Sequence, residues 1–365
     1  MTDDVAPPEV QEVEDTIETQ EPQIAVGRDQ MEEVHAAAKP LMDAVAKLPG
    51  GDQITEMLVT SLKLLRDNNN RADLKLINTS LKELRYALKI FEPYKETRKI
   101  SIFGSARTPE TAGDYKSAVE YSKRIADLGW MIITGAGGGI MAAGHGGAGA
   151  KPSFGLAIRL PFEQKTNEFI EGDPKLINFK YFFTRKLMFV RSSHAVAVFP
   201  GGFGTMDEGF EVLTLIQTGK APLMPIVFMD EPGSGVWRGW ERFVKEQLLG
   251  CKVISPEDVN LYKITQSIDE GIAEVTKFYS NFHSSRYVRD TLVLRVKRAP
   301  TAGQIDEINR RFGKICLKGR IETQGALPQE KDEPSLIDLP RVTLQFNRKD
   351  HGNLRLLVNY LNEEC

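Results

Sequence analysis

The chain predicts an α/β fold: a Rossmann-like, doubly wound parallel sheet, preceded by a helical extension and followed by a small α+β module. Three observations carry the prediction. Apolar strand-like runs alternate with helix-spaced segments between residues 98 and 280, glycine-rich turns follow three of those runs, and no stretch approaches the roughly 20 apolar residues of a membrane helix. At 365 residues the length exceeds one ordinary domain and allows a sizeable central core.

Residues 1–27 hold Asp3, Asp4, Glu9, Glu12, Glu14, Asp15, Glu18 and Glu21 and no Lys or Arg, which predicts a disordered acidic tail. In 28–94, Ile54, Met57, Leu58, Leu62 and Leu65, then Leu74, Ile77, Leu81, Leu84 and Leu88, recur at helical spacing. Two or three amphipathic helices follow from that period, with apolar faces for the core or for a second subunit. The 95–283 region is the Rossmann-like domain, with strands expected near 99–103, 131–134, 155–160, 176–179, 195–199, 225–228 and 259–264. Residues 284–365 change character. Strand-like 291–296, helical 304–312, strand-like 314–321 and 341–346 and helical 353–362 read as a βαββα module, interrupted by the polar 324–338. It contains no glycine-rich ligand loop, so a packing or dimerisation role is favoured over a regulatory ligand site.

Composition narrows the function classes. The net charge of −3 with 27% charged residues gives no polyanion bias, so nucleic acid is not the expected partner. Cys251, Cys316 and Cys365 are far apart and form no CxxC, which indicates neither a disulfide framework nor a zinc site. His35, His145, His194, His283 and His351 are scattered without metal-ligand spacing. The N-terminus has no basic region followed by an apolar one. The expectation is a cytoplasmic enzyme without metal, cofactor or membrane partner.

The most informative stretch is Pro200-Gly201-Gly202-Phe203-Gly204-Thr205-Met206-Asp207-Glu208, between an apolar strand and a helix that starts near Thr205. Glycines let backbone amides approach an anion, and a helix N-terminus offers free donors and a positive dipole end. Gly201, Gly202, Gly204 and Thr205 are thus a candidate phosphate clamp. Asp207 and Glu208, placed in the first helical turn, add negative charge that a bare phosphate cradle would avoid, which directs at least one of them to another part of a ligand, such as a sugar. A competing reading makes Thr205-x-x-Glu208 a capping box.

The pattern PGGxGTxxE, complete here, resembles the signature of the Lonely Guy family, once misannotated as lysine decarboxylases, which hydrolyses the N-glycosidic bond of nucleoside 5′-monophosphates. Thr184-Arg185-Lys186-Leu187-Met188-Phe189 resembles the family's Arg-Lys motif, and Arg185 precedes Glu208 by the expected twenty-three positions. Phe182-Phe183-Thr184 stands where many members carry Met-His-Glu before the arginine, a departure that bears on the base pocket more than on the reaction. The resemblance covers roughly 95–280. It implies Glu208 and Arg185 as the catalytic pair, Lys186 as a substrate-binding neighbour, and a homodimer or higher homo-oligomer.

Two further glycine turns follow expected strands, Phe103-Gly104-Ser105-Ala106-Arg107 and Thr134-Gly135-Ala136-Gly137-Gly138-Gly139. Ligands of open α/β sheets bind outside the carboxyl ends of the strands, so three such turns suggest one composite pocket. The resemblance implies base and ribose contacts at Gly104 and Ser105 and phosphate contacts at Gly137, Gly138 and Gly139. Ordinary turn chemistry is the plain alternative for Ser105 and Arg107.

Glu208 would stabilise the electron-poor ribose C1′, orient the attacking water, or both. Arg185 would hold phosphate or ribose hydroxyls and keep Glu208 ionised. Asp207 points about 100° away on the helix, so the two acids do not address one atom. Two other readings use the same glycines. A non-catalytic nucleotide or molybdenum-cofactor carrier of this fold needs only the phosphate loop. A dinucleotide oxidoreductase would use Gly137-x-Gly139-x-x-Ala142 with Glu163 as ribose acid, but that fingerprint belongs after the first strand and here follows the second. No P-loop occurs, and nothing singles out a Schiff-base lysine. Adenine is the default base.

Overall fold

The computed structural model describes residues 27–67, 70–159 and 165–365. The expected acidic tail therefore lies outside the described residues apart from Gly27, as do Leu160 at the end of the third expected strand and Glu163. The chain divides after Lys82 into two compact units. The first contains α1 (Arg28–Val45), α2 (Gly51–Asp67) and the start of α3 (Arg71–Phe91). Met31 is the buried side chain of α1, whereas Leu48, Ile54 and Met57 stay exposed, so these helices build little core of their own.

The second unit takes the rest of α3 and then β1 (Lys99–Phe103), α4 (Gly113–Asp127), β2 (Met131–Thr134), α5 (Ile140–Ala148), β3 (Ser153–Ile158), β4 (Leu176–Phe179) and α6 (Phe182–Ser192). It continues through β5 (Ala195–Val198), α7 (Phe203–Gln217), β6 (Ile226–Met229), α8 (Val236–Phe243), β7 (Lys263–Thr265) and α9 (Ile268–Phe278). These strands form a parallel seven-stranded sheet in the order β4-β3-β2-β1-β5-β6-β7. Every residue of β1, β2, β5 and β6 is buried, as expected of strands covered by helices on both faces. After β1 the chain winds outward to β4, then returns to the other side of β1 at β5. The turns leaving β1 and β5 therefore diverge and open a crevice at their carboxyl ends.

The strand expected over 259–264 is largely absent. Pro256–Leu261 is a 3₁₀ turn opened by Ser255, whose amide donates to Asp258 Oδ2 at 2.8 Å, and only Lys263–Thr265 pairs with the sheet. Pro256 at the first helical position, with this local cap, outweighs the apolar spacing that suggested a strand.

The C-terminal part is ββαββα rather than βαββα. β8 (Phe282–Val288) precedes β9 (Thr291–Val296), α10 (Ala302–Phe312), β10 (Cys316–Gln324), β11 (Arg341–Phe346) and α11 (His351–Glu363), giving an antiparallel sheet β10-β11-β9-β8. β8 reads FHSSRYV, too polar for an apolar-run criterion, and it starts two residues before the expected boundary at 284. The apolar core is continuous from the parallel sheet into this module: Val275 and Phe278 of α9 belong to the same cluster as Leu294, Leu357 and Leu361. Asn362 fastens the junction, its side chain accepting from the amides of Asn281 and Phe282 at 3.0 and 2.8 Å.

Candidate functional site

The carboxyl ends of β1, β2 and β5 enclose a cleft of about 570 Å³ whose wall includes Gly104, Ser105, Gly137, Arg185, Gly202 and Glu208. Three backbone bonds tie its turns together. Ser105 N donates to Pro200 O and Ile140 N to Ser105 O, both at 3.0 Å, while Phe199 N donates to Phe103 O at 2.8 Å. Ser105 Oγ accepts from Arg107 N at 3.0 Å, the plain turn chemistry, and still sits on the cleft wall.

Helix α7 begins at Phe203, two residues earlier than the sequence suggested, with Gly202 as its N-cap and no side-chain cap. Its first intrahelical bond runs from Met206 N to Gly202 O at 3.1 Å, so the amides of Phe203, Gly204 and Thr205 have no acceptor within the helix. Thr205 is the third helical residue, which removes the capping-box reading of Thr205 and Glu208. Both acids consequently fall in the second turn, not the first.

The glycines divide by what a side chain would meet. At Gly202 and Gly204 an added Cβ would enter open space beside the free amides, where an anion fits. At Gly201 it would strike Thr205 Oγ1 and the Ser105 amide, at Gly104 the Ile140 side chain, and at Gly139, with φ +57°, the carbonyl of Ser105. Gly138 lies 3.3 Å from Ala106 O by the same measure. Gly138, Gly139 and Gly201 do not line the cleft; they let its turns pack against each other. This turn reaches the cleft through Gly135, Ala136 and Gly137, not through Gly138 and Gly139.

Arg185, on α6, reaches across β3 and donates from Nε to Leu156 O at 2.8 Å. Its guanidinium lies over the Phe189 ring at 5.2 Å and against Gly135, where any Cβ would strike it. Burial lowers its pKa while Glu208 opposes the shift. Lys186 does not line the cleft itself; behind the wall it bonds Asp207 Oδ2 at 2.7 Å and Glu211 Oε2 at 2.9 Å. Sequence reasoning named Lys186 as a substrate contact and missed Glu211; the i,i+4 spacing of Asp207 and Glu211 was the available signal.

Glu208 is 8% exposed, and its Oε2 has no hydrogen-bond partner. Burial pushes its carboxyl up to about 7, with Lys186 and Arg185 pulling down and Glu211 and Asp207 pushing up. Arg185 was expected to keep this carboxylate ionised; desolvation outweighs it. Phe182 and Phe203 also line the cleft. Phe203 is 96% exposed, so it contributes nothing to the core and offers its ring face at the cleft mouth.

The geometry is a switch-point crevice with a free helix N-terminus and a buried carboxylate, the place where open α/β sheets bind ligands. Residues 137–275 match the family model described as possible lysine decarboxylase. Among solved structures, the chain is similar to the molybdenum cofactor binding protein from Rippkaea orientalis, at 20% identity over 49% of this chain and 96% of that chain with a TM-score of 0.37. It is also similar to the Moco carrier protein from Chlamydomonas reinhardtii (20% identity, 50% and 96% covered, TM-score 0.35). DNA processing protein A from Helicobacter pylori matches at 14% identity, 49% and 80% covered, TM-score 0.34. No curated protein matches. Among the described residues, no helix is long and apolar enough to cross a membrane, and no group of His, Cys, Asp and Glu is arranged to hold a metal ion.

Proposed function

We propose that the cleft binds a nucleoside 5′-monophosphate and hydrolyses its N-glycosidic bond to free base and ribose 5-phosphate. Glu208 carries this reading. It is a buried carboxylate with an uncommitted oxygen and a pKa raised to about 7, on a cleft wall that also presents free helix amides. A plain phosphate site has no use for such a group, whereas a general base works best with a pKa near the working pH.

The 5′-phosphate sits on the amides of Phe203, Gly204 and Thr205, with Gly202 and Gly204 leaving room for it, and this remote binding positions the sugar. Arg185 holds phosphate or ribose hydroxyls. The C1′–N bond breaks with its electron pair on the base, C1′ becomes electron-poor, and the Glu208 carboxylate faces that charge. Water adds its oxygen to C1′ and loses a proton to Glu208, which returns it to solvent as the base takes up a proton. Phe182 and Phe203 supply aromatic faces suited to a planar base, and AMP is the first substrate to try. The active assembly is a homo-oligomer, which light scattering reads directly.

The test is incubation of the purified protein with a panel of nucleoside monophosphates, scored for free base and ribose 5-phosphate. AMP is expected to be cleaved far faster than adenosine. Equal rates would remove the phosphate's role. No base from any monophosphate, with a nucleotide or cofactor carried through purification, would favour a carrier instead.

A further inference from the structure

Behind the second glycine turn lies a buried group that the proposed reaction does not use. His145 of α5 is fully buried, yet it touches three polar groups on three different segments. Its Nε2 lies 3.1 Å from Thr134 Oγ1 at the end of β2 and 3.0 Å from Phe154 O of β3. Its Nδ1 lies 3.2 Å from Asn167 Oδ1, in the connection from β3 to β4.

Thr134 and Asn167 both hold the glycine turn. Thr134 Oγ1 accepts from Ala136 N at 3.0 Å, Asn167 N donates to Ala136 O at 2.8 Å, and Asn167 Nδ2 donates to Gly137 O at 3.0 Å. The turn needs such holding: Ala136 has φ +63°, a left-handed conformation that costs a non-glycine residue free energy and persists only where its surroundings enforce it. This turn in turn shapes the cleft, because Gly135 abuts Arg185 and Gly137 lines the wall.

We propose that His145 is the positioning residue of this turn, acting through Thr134 and Asn167 to fix residues 135–137 for ligand and for Arg185. The donor count shows how much is asked of the ring. Asn167 Oδ1 faces Nδ1 while its Nδ2 is committed to Gly137 O, so Nδ1 is called on to donate, and Nε2 meets both the Thr134 hydroxyl and the Phe154 carbonyl. Burial lowers the pKa of His145, against the opposing pull of the Phe154 carbonyl, the Asn167 side chain and the Asp173 carboxylate. A neutral ring with its proton on Nδ1 donates to Asn167 Oδ1 and accepts at Nε2 from the Thr134 hydroxyl, which leaves Asn167 Nδ2 free to serve Gly137 O. That shared amide is the arm through which a change at His145 reaches the cleft.

The inference rests on the nucleotide reading only for its binding arm, and the experiment keeps the two apart. His145→Phe retains a ring of similar size without nitrogens, and Asn167→Ala removes the arm from a half-exposed position. In the ligand-free full chain, amide exchange of residues 134–140 should rise about 10-fold or more in either variant, the effect of losing one buried hydrogen bond, while β1 amides hold. AMP affinity by calorimetry should fall with it, and the double variant should be no worse than the weaker single one. Unchanged exchange in a folded Asn167→Ala protein overturns the proposal, as do effects that simply add. Should His145→Phe fail to fold, Asn167→Ala decides. If the wild type binds no AMP, the nucleotide reading fails and the exchange comparison still decides the positioning role.

Discussion

Lys186 bonds Asp207 and Glu211 and holds its ammonium 4.0 Å from Glu208 Oε2, beyond hydrogen-bond reach. The neighbouring Arg185 likewise gives Nε to the Leu156 carbonyl. Two cations thus face Glu208, yet neither satisfies its free oxygen. Their charge is felt, their hydrogen bonds are not, and burial sets the balance at about 7. A direct bidentate pair would have left a weakly basic carboxylate.

The first prediction follows from that balance. kcat/KM for AMP should rise with pH through about 7 as Glu208 ionises. Lys186 is the foremost of the groups pulling this pKa down, so Lys186→Met should move the acidic limb upward by roughly one pH unit and leave the rate at high pH nearly unchanged. A limb that stays in place would mean that Lys186 does not act on Glu208.

Glu208→Gln should separate chemistry from stability. Its carboxyl titrates above the ordinary 4.5, so the folded protein holds that proton more tightly than the unfolded chain does. The associated stability is fully present below about pH 4.5 and is lost as pH rises through about 7. The amide carries no such loss. Turnover should drop on the order of 10² or more, while unfolding free energy at pH 8 should gain up to about 3 kcal/mol over the wild type. Urea unfolding at pH 5 and pH 8 reads the difference, and a variant less stable at pH 8 contradicts the buried, unpartnered carboxylate.

The two kinds of glycine give opposite signatures. Gly202→Ala and Gly204→Ala add a methyl where nothing stands within 4 Å. They should melt near the wild-type temperature and bind AMP or inorganic phosphate more weakly. Gly139→Ala forces a side chain to φ +57° and into Ser105 O, and should lose stability first. Melting temperatures set beside calorimetric affinities test the pairing; a Gly202→Ala protein with undiminished phosphate affinity would move the anion elsewhere.

Much of this was legible in the sequence because parallel strands buried on both faces are nearly continuous apolar runs, as at Lys99–Phe103 and Ala195–Val198. The glycine turns stand out for a related reason, because loops at strand ends carry unusual residues, whereas Arg185 was named only through the family resemblance and its spacing to Glu208. The misses also have causes. β8 hides because its residues are polar, and Pro256–Leu261 misleads because local capping chemistry beats apolar spacing. A glycine string does not say which members face a ligand and which face another loop, since both demands remove the side chain. Glu211 and His145 escaped because their partners, Lys186 and Asn167, are 25 and 22 residues away in sequence.

The final prediction concerns the C-terminal module, where β9 and β11 place Arg295 and Arg341 directly opposite each other. Two like charges in cross-strand register repel, and here both side chains are at most 2% exposed. Glu330, from the connection between β10 and β11, lies over the pair: Arg295 Nη2 donates to its Oε1 at 2.7 Å and Arg341 Nε to its Oε2 at 3.1 Å. Burial alone would raise the Glu330 carboxyl, but Arg341, the Leu327 amide and Arg295 hold it down at about 2. Its stabilising effect is therefore present above about pH 4.5 and is lost as pH falls toward 2. Glu330→Ala leaves the buried Arg341 guanidinium without a carboxylate and Arg295 with Glu333 alone, and should cost about 3–5 kcal/mol at pH 7, whereas replacing all three residues with apolar ones of similar volume should cost far less. Chemical denaturation of the three proteins decides it. If Glu330→Ala unfolds at the wild-type midpoint, the arginine pair is not held by Glu330, and the connection at 325–339 is free to leave the sheet.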